Sequence, residues 1–272
     1  MNEEPTDPEL AALLEVIYSR FHHDFRQYAI SSLRRRVAIA MNHVGVSSIA
    51  ALTRRIEREP AAFAAVLEKL TVRVSDLFRD PEYFKVFREG VVPFLSTYPW
   101  IRLWVAGCGA GEEAYSFAIL LREVGLLERC QIYATDISPS ALEEAKAGVY
   151  RADRFDAFAS NYSAAGGIGA LERHCARGRR SFVMAPALRE RIVFADHSLA
   201  TDHAFVEVQV VSCRNVLIYF NRTLQMRALQ LLQGALTRRG FLGLGMKERL
   251  QFTPLSATFE PFSEATRWYR RR

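Results

Sequence analysis

The chain has 272 residues, of which half are hydrophobic, and it carries a formal net charge of +6 at neutral pH. This length exceeds one average domain and can bury a full α/β core. No apolar run approaches the ~20 residues needed to span a membrane, and the N-terminus MNEEPTDPEL does not resemble a signal peptide. We therefore expect a cytoplasmic protein without membrane insertion.

The excess of positive charge predicts an acidic partner, either an acidic protein surface or a nucleic acid.

The cysteines are too scattered along the sequence to form a recognisable ligand motif. They stand at positions 108, 130, 175 and 213, with no C-x-x-C pair and no Cys/His spacing typical of zinc. This pattern favours reduced, partly buried thiols over disulfides. We expect no metal site.

The segment from about Leu10 to Gly90 has the apolar spacing of consecutive helices. Hydrophobic residues recur at helical intervals in three stretches, with Pro60 separating two of them. Asp80 and Pro81 predict an N-cap and first-turn proline of a further helix. The sequence therefore predicts a helical N-terminal domain over residues 1–90. The three stretches are marked by Leu33, Val37, Met41 and Val44, then Ile49, Leu52 and Ile56, then Phe63, Val66, Leu67 and Leu70.

Arginines cluster on two of these helices. Arg35 points away from the apolar stripe, with Arg34 and Arg36 on its flanks, because successive helical side chains are about 100° apart. Arg54 and Arg55 continue the basic character on the next helix, with little acid expected nearby. The arrangement predicts a docking face for an acidic partner, and the alternative is an ordinary solvated helix face. Without interleaved aromatic residues or a nucleic-acid-reading motif, nucleic acid is the weaker choice of partner.

A glycine-rich turn between two apolar runs is the most informative feature of the second half. The run IRLWVA leads into GCGAGEE, then a helix, then a second apolar run that ends at Asp136. Strand, glycine turn, helix and acid-tipped strand predict the nucleoside-binding half of a Rossmann-type sheet. Gly107 and the glycines two and four residues later allow a sharp turn that admits a ligand. Asp136 follows the glycine turn at the distance along the chain expected of an acid that binds ribose hydroxyls.

Two acids at the beginning of the helix argue against a dinucleotide. Glu112 and Glu113 would repel a pyrophosphate, which needs positive potential at this place. They favour a cationic ligand, and S-adenosylmethionine is the nucleoside that carries a sulfonium and an amino group. The alternative for Glu113 is a first-turn helix acid with no ligand.

The remainder alternates strands with helices, which predicts a parallel sheet over residues 91–272. Ser138 and Pro139 cap a helix that stops at Gly148. Residues at about 150–186 interrupt the alternation and predict an inserted subdomain. A helix containing Leu224 and Leu232 is expected to end at Gly240, and the closing strands are FLGLG and one near Trp268.

With these pieces in place, the chain resembles the CheR family of chemotaxis receptor methyltransferases over nearly its whole length. The resemblance implies a helical domain followed by a Rossmann-like class I methyltransferase domain with a small inserted β-subdomain. It also implies that the protein transfers a methyl group from S-adenosylmethionine to glutamates on the cytoplasmic helices of chemoreceptors, with S-adenosylhomocysteine as product. We expect the protein to be monomeric. The matching motifs are LTVRVSDLFRDPEYF, GCGAGEEAYSFAILL, ATDIS, SCRNVLIYF and GFLGLGMKE.

The resemblance also implies a role for individual residues. Arg79 and Tyr219 match the pair beside the transferable methyl; the alternatives are a structural ion pair for Arg79 and a core aromatic for Tyr219. Glu112 matches the position that holds the methionine amino group, Glu113 is the second candidate for that position, and Asp136 matches the ribose position. The further cofactor-lining positions are Arg73, Ser75, Gly107, Ser198, Leu199, Asn215 and Val216.

Three departures from the family pattern lie among these motifs. Arg73 and Ser198 stand where asparagine is usual, and Arg73 can donate but cannot accept hydrogen bonds as an amide does. Met246 and Lys247 replace the usual His-Ser pair. The sequence thus indicates a divergent but active methyltransferase. Two alternatives remain open: a sensor or scaffold that binds the cofactor with little turnover, and, on charge alone, a nucleic-acid methyltransferase.

Overall fold

The computed structural model describes residues 8–72, 75–250 and 253–272, and these form two compact units. The smaller unit contains residues 8–72 together with Ser198–Asp202 and Tyr219–Ala228. The larger unit contains the rest. The helices are α1 (Pro8–Phe21), α2 (Ile30–Val44), α3 (Ile49–Arg58), α4 (Ala61–Leu70), α5 (Pro81–Val86), α6 (Val92–Leu95), α7 (Glu112–Glu123), α8 (Pro139–Ala147), α9 (Phe155–Ala164), α10 (Pro186–Arg189) and α11 (Arg222–Ala235). The strands are β1 (Ile101–Ala106), β2 (Cys130–Asp136), β3 (Val149–Arg151), β4 (Cys175–Arg177), β5 (Ser181–Met184), β6 (Ile192–Asp196), β7 (Val208–Cys213), β8 (Leu236–Leu244), β9 (Phe259–Ser263) and β10 (Trp268–Arg271).

The smaller unit is helical, as the apolar spacing predicts. Most of the predicted apolar positions of α2, α3 and α4 are buried, including Val37, Ile56 and Phe63, whereas Met41, Val44 and Ile49 are half-buried. Ser48 caps α3 by accepting a hydrogen bond from the Ala51 amide at 3.1 Å. The segment around Tyr219 joins this unit through its backbone, because the Ala29 amide donates to the Tyr219 carbonyl at 2.8 Å.

The larger unit is built on a seven-stranded sheet in the order β6-β2-β1-β7-β8-β10-β9. The first five strands are parallel, and β10 is antiparallel to both of its neighbours. In β1 every residue except Arg102 is buried, as expected of a parallel strand covered on both faces. The predicted α/β fold is confirmed.

The inserted segment forms its own small sheet. Strands β3, β5 and β4 pair antiparallel in that order between α8 and α10. Ser138 caps α8 and Gly148 follows its last residue in a left-handed conformation, as expected. The small β-subdomain within the sheet domain is therefore confirmed.

The division between the units falls near residue 73 rather than at the expected residue 90. The reason is aromatic packing within the larger unit. Tyr83 stacks on Trp268 of β10 with 4.5 Å between ring centroids, and Phe87 contacts Phe117 of α7 at 4.9 Å. Helix α5 thus belongs to the core of the sheet domain, although its sequence continues the helical pattern before it.

Two local expectations are wrong. Asp80 does not cap α5, because its backbone is left-handed, with φ of 56°, and its side chain makes no capping hydrogen bond. Helix α11 ends at Ala235, before Gly240. Gly240 lies inside β8, where a Cβ would stand 3.0 Å from the carbonyl oxygen of Gln209. Its smallness serves close strand packing rather than helix termination.

Candidate functional site

The glycine turn follows β1 at the carboxyl edge of the sheet. Gly107, Gly109 and Gly111 all have positive φ, at 75°, 54° and 90°. A Cβ at Gly107 would stand 2.3 Å from Cγ2 of Val216, which follows β7. Since β1 lies between β2 and β7, with chain crossovers leaving in opposite directions, this is the switch point where α/β sheets bind ligands.

Asp136 ends β2 beside this turn. Its Oδ2 accepts from the Gly109 amide and its Oδ1 accepts from the Ser138 amide, both at 2.9 Å. The two backbone donors fix the orientation of the carboxylate at the carboxyl end of β2. This geometry suits a pair of ribose hydroxyls.

Glu112 begins α7 and is fully buried. Its Oε1 accepts from Nη1 of Arg154 at 3.0 Å, whereas its buried Oε2 has no hydrogen-bond partner. Burial raises the pKa of Glu112 above its ordinary value, and the Arg154 guanidinium opposes that shift. A cationic donor at Oε2 would satisfy the orphaned oxygen and favour the ionised form. The amino group of S-adenosylmethionine is such a donor, so this site fits the cofactor.

Glu113 is part of an internal network. Its Oε1 accepts from the Ser212 hydroxyl and its Oε2 accepts from Arg214 at 2.9 Å. Because a carboxylate accepts only, Ser212 must donate to Glu113, and Tyr83 then donates its hydroxyl to Ser212 at 2.7 Å. Both oxygens of Glu113 are therefore engaged within the protein. This arrangement agrees better with a structural acid than with a cofactor ligand.

The turn that carries Arg79 is held in an unusual backbone conformation. Phe78 and Asp80 on either side of Arg79 have φ of 51° and 56°. The Phe78 amide donates to the Ser116 hydroxyl at 2.8 Å, and the Arg79 carbonyl accepts from Arg214 at 2.8 Å. Left-handed backbone at non-glycine residues is strained and persists where surrounding contacts enforce it, often at functional sites.

Asn215 and Val216 follow β7, and Asn215 has φ of 60°. Their amides donate to Oε2 and Oε1 of Glu248, each at 2.9 Å. Burial raises the pKa of the Glu248 carboxyl, and backbone donors oppose the shift. We did not predict Glu248 as a site residue, although it is the last residue of the motif GFLGLGMKE. Its position in that motif, 33 residues after Asn215, gave no sign of this contact.

The remaining predicted site residues are distributed as follows. Ser75 belongs to the larger unit, and its carbonyl accepts from Arg154. Ser198 and Leu199 belong to the smaller unit, where the Ser198 amide donates to Asp202 at 2.9 Å. Tyr219 belongs to that unit as well. Arg73 lies outside the described residues. The structure thus gathers the residues around Gly107, Glu112 and Asp136, and the roles of the others stay predictions.

The expected arginine face is only partly as predicted. Arg34, Arg35 and Arg54 are exposed and Arg36 is half-buried. The expectation of little nearby acid is wrong at Arg55, whose guanidinium lies 3.0 Å from the Glu59 carboxylate. That pair is one helical turn apart, which sequence spacing alone could have indicated.

All four cysteines are free thiols, and three of them are buried. Within the described ranges, no three His, Cys, Asp or Glu side chains are grouped as a metal ion would require. No helix in the same ranges is long and apolar enough to cross a membrane.

Comparison with known proteins identifies both regions. Residues 8–71 match the profile "CheR methyltransferase, all-alpha domain", and residues 73–265 match "CheR methyltransferase, SAM binding domain". Similar proteins include "Putative methyltransferase Cher3" of Pseudomonas putida, which is 46% identical over 99% of both chains. "Chemotaxis protein methyltransferase 1" of Pseudomonas aeruginosa is 32% identical over 84% of both chains. Among solved structures, a TehB-like SAM-dependent methyltransferase from Corynebacterium glutamicum is 12% identical, with a TM-score of 0.38 over 68% of this chain and 86% of that one. The chain belongs to the CheR methyltransferase family, and its cofactor is S-adenosylmethionine.

Proposed function

We propose that this protein methylates glutamate side chains on the cytoplasmic helices of chemoreceptors, producing glutamyl methyl esters and S-adenosylhomocysteine. Its relatives named as chemotaxis methyltransferases support the substrate class. The observation that carries the proposal is the Glu112 carboxylate, whose orphaned Oε2 lies at the head of α7 beside the glycine turn. Acting on cytoplasmic receptor helices places the protein in the cytoplasm, where we expect it to work as a monomer.

The chemistry needs little acid–base help from the protein. S-adenosylmethionine supplies an electrophilic methyl group when bound. A glutamate side chain with a pKa of about 4.3 is ionised at neutral pH, so it can attack the methyl group without losing a proton to the enzyme. The carboxylates of Glu112, Glu113 and Glu248 all accept hydrogen bonds from within the protein. We therefore assign them structural and binding roles rather than the role of a general base.

Positioning is then the main task of the protein. Holding two reactants in an attack geometry can lower the barrier by on the order of 7–11 kcal/mol. We propose that Asp136 and Glu112 fix the two ends of the cofactor, while the Asn215–Val216 turn, held by Glu248, forms a wall. Arg79 and Tyr219 are proposed to orient the substrate carboxylate.

The test is transfer of tritiated methyl from S-adenosylmethionine to purified chemoreceptor cytoplasmic fragments. We expect the fragments to incorporate tritium that is released again by treatment with base, because methyl esters hydrolyse in base. A fragment with glutamine at its methylation sites is the matched control and should incorporate none. Calorimetric binding of S-adenosylhomocysteine without transfer to any fragment would favour the sensor or scaffold alternative, which the departures at Arg73 and Ser198 motivate.

A further inference from the structure

An arginine of the inserted segment reaches the head of α7. Arg154 ends a short helical turn directly after β3. Its Nη1 lies 3.0 Å from Oε1 of Glu112, and its Nη2 donates to the Ser75 carbonyl and, at 3.0 Å, to Oδ1 of Asp76. One side chain thus links the inserted subdomain to two segments on which the cofactor site was predicted.

The guanidinium of Arg154 is oriented and still accessible. It lies over the Phe158 ring, 4.5 Å from the centroid, a contact that restrains its plane. One third of the Arg154 side chain is exposed, against 1% for Glu112. A guanidinium has five N–H donors, which exceeds the three acceptors described for Arg154. It therefore has capacity for a further acceptor from a ligand.

We propose that Arg154 binds the carboxylate of the amino-acid end of the cofactor, while Glu112 binds its ammonium group. An α-amino acid carries both charges on one carbon, so its receptor needs an anion and a cation side by side. Glu112 and Arg154 meet this requirement at 3.0 Å, and the unpartnered Oε2 of Glu112 remains for the ammonium. Guanidinium matches a carboxylate in geometry and charge. This inference rests on the cofactor site proposed above.

The test compares two ligands by isothermal titration calorimetry of the full chain. S-adenosylhomocysteine carries both charged groups, whereas its decarboxylated analogue, 5′-deoxy-5′-(3-aminopropylthio)adenosine, retains only the ammonium. We expect Arg154→Gln to weaken S-adenosylhomocysteine on the order of 10- to 100-fold. The same substitution should change affinity for the analogue by less than about threefold. Glu112→Gln should weaken both ligands.

Two further variants complete the design. Arg154→Lys keeps the charge but loses the planar fork, so it should weaken S-adenosylhomocysteine less than Arg154→Gln does; it also decides the question if Arg154→Gln does not fold. Arg151→Gln is the matched control, because Arg151 is exposed on the neighbouring strand and pairs with Asp153. It should leave both affinities unchanged.

Three outcomes would overturn the inference. Equal weakening of both ligands by Arg154→Gln would mean that Arg154 only positions Glu112, and unchanged affinity for S-adenosylhomocysteine would remove Arg154 from the site. If the wild-type chain binds neither ligand, the proposed cofactor site itself fails, and the assignment of Arg154 fails with it.

Discussion

Arg214 and Glu113 form a buried ion pair, with 2.9 Å between Nη1 and Oε2 and with 1% and 12% of their side chains exposed. Glu113 lies in the first turn of α7, and Arg214 directly follows β7. The other terminal nitrogen of Arg214 donates to the Arg79 carbonyl at 2.8 Å and to the Asp80 carboxylate at 2.6 Å. One guanidinium therefore ties the end of a strand, the head of a helix and the turn that carries Arg79.

Removing this guanidinium should strongly destabilise the protein. Arg214→Met leaves the Glu113 carboxylate buried without its cation, which we expect to lower the free energy of unfolding by roughly 3–5 kcal/mol. Urea denaturation measures this change. Arg55→Met, which breaks the exposed pair with Glu59, is the control and should cost less than about 1 kcal/mol. Similar small costs for the two variants would contradict a central role for Arg214.

Asp136→Ala should weaken cofactor binding. Losing charge-assisted hydrogen bonds to two ribose hydroxyls costs roughly 1.5–3 kcal/mol, or about tenfold or more in affinity. Calorimetry with S-adenosylhomocysteine measures the loss. Since Asp136 also accepts from the Gly109 and Ser138 amides, the melting temperature of the variant must be measured in parallel. Unchanged affinity in a folded variant would refute the ribose assignment.

Tyr219→Phe separates rate from binding. The variant keeps the ring and loses only the hydroxyl, so a role in orienting the substrate should lower kcat and leave cofactor affinity nearly intact. Single-turnover methylation and calorimetry together measure the two effects. If Tyr219→Phe transfers methyl groups at the wild-type rate, the Tyr219 hydroxyl has no part in the reaction and the side chain serves only in packing.

The Glu123 carboxylate should make stability depend on acid pH. Although burial by itself would raise its pKa, hydrogen bonds from His174, Tyr162 and Arg88 hold the pKa of Glu123 at about 2, below its ordinary value of 4.5. A lowered folded-state pKa stabilises the protein above the unfolded pKa, on the order of 3 kcal/mol here, and this contribution is lost as pH falls from 4.5 toward 2.

The measurement is urea unfolding of the wild type and Glu123→Gln between about pH 7 and pH 3. The difference in unfolding free energy between them should shrink on acidification. Glu128→Gln, at an exposed acid that pairs with Arg191, is the control and should show little pH dependence. A difference for Glu123→Gln that stays constant with pH would contradict the lowered pKa.

Arg35→Glu tests the docking face. Arg35 is exposed, so fold and cofactor binding should survive the reversal of charge. Methylation of a receptor fragment should drop sharply through apparent KM, and wild-type methylation should weaken as salt exceeds about 0.1 M, where the Debye length is about 10 Å. Arg177→Glu is the matched control on the inserted subdomain. Wild-type rates for Arg35→Glu at subsaturating receptor would make the arginine face ordinary surface and direct attention to Arg177.

The sequence by itself was sufficient to predict those elements that are determined by residues close together in the chain. Helical spacing around Val37 and Ile56, the cap at Ser138 and the glycine turn at Gly107 each depend on residues near one another in the chain. Their geometry follows from backbone sterics and from burial of one face. The motifs around these elements also identified the family, which fixed the expected cofactor.

Only the tertiary structure decided which groups that are distant in sequence pair with each other, and therefore which roles they have. Glu112 and Glu113 are adjacent and chemically identical, yet Arg154 engages one and Arg214 the other, from 42 and 101 residues away. No local spacing records those pairings, because they depend on how β3 and β7 bring their following turns to the head of α7. The same is true of α5: its sequence continues a helical pattern, but burial of Tyr83 against Trp268 places it with the sheet. Burial and charge pairing between segments remote in sequence set these roles.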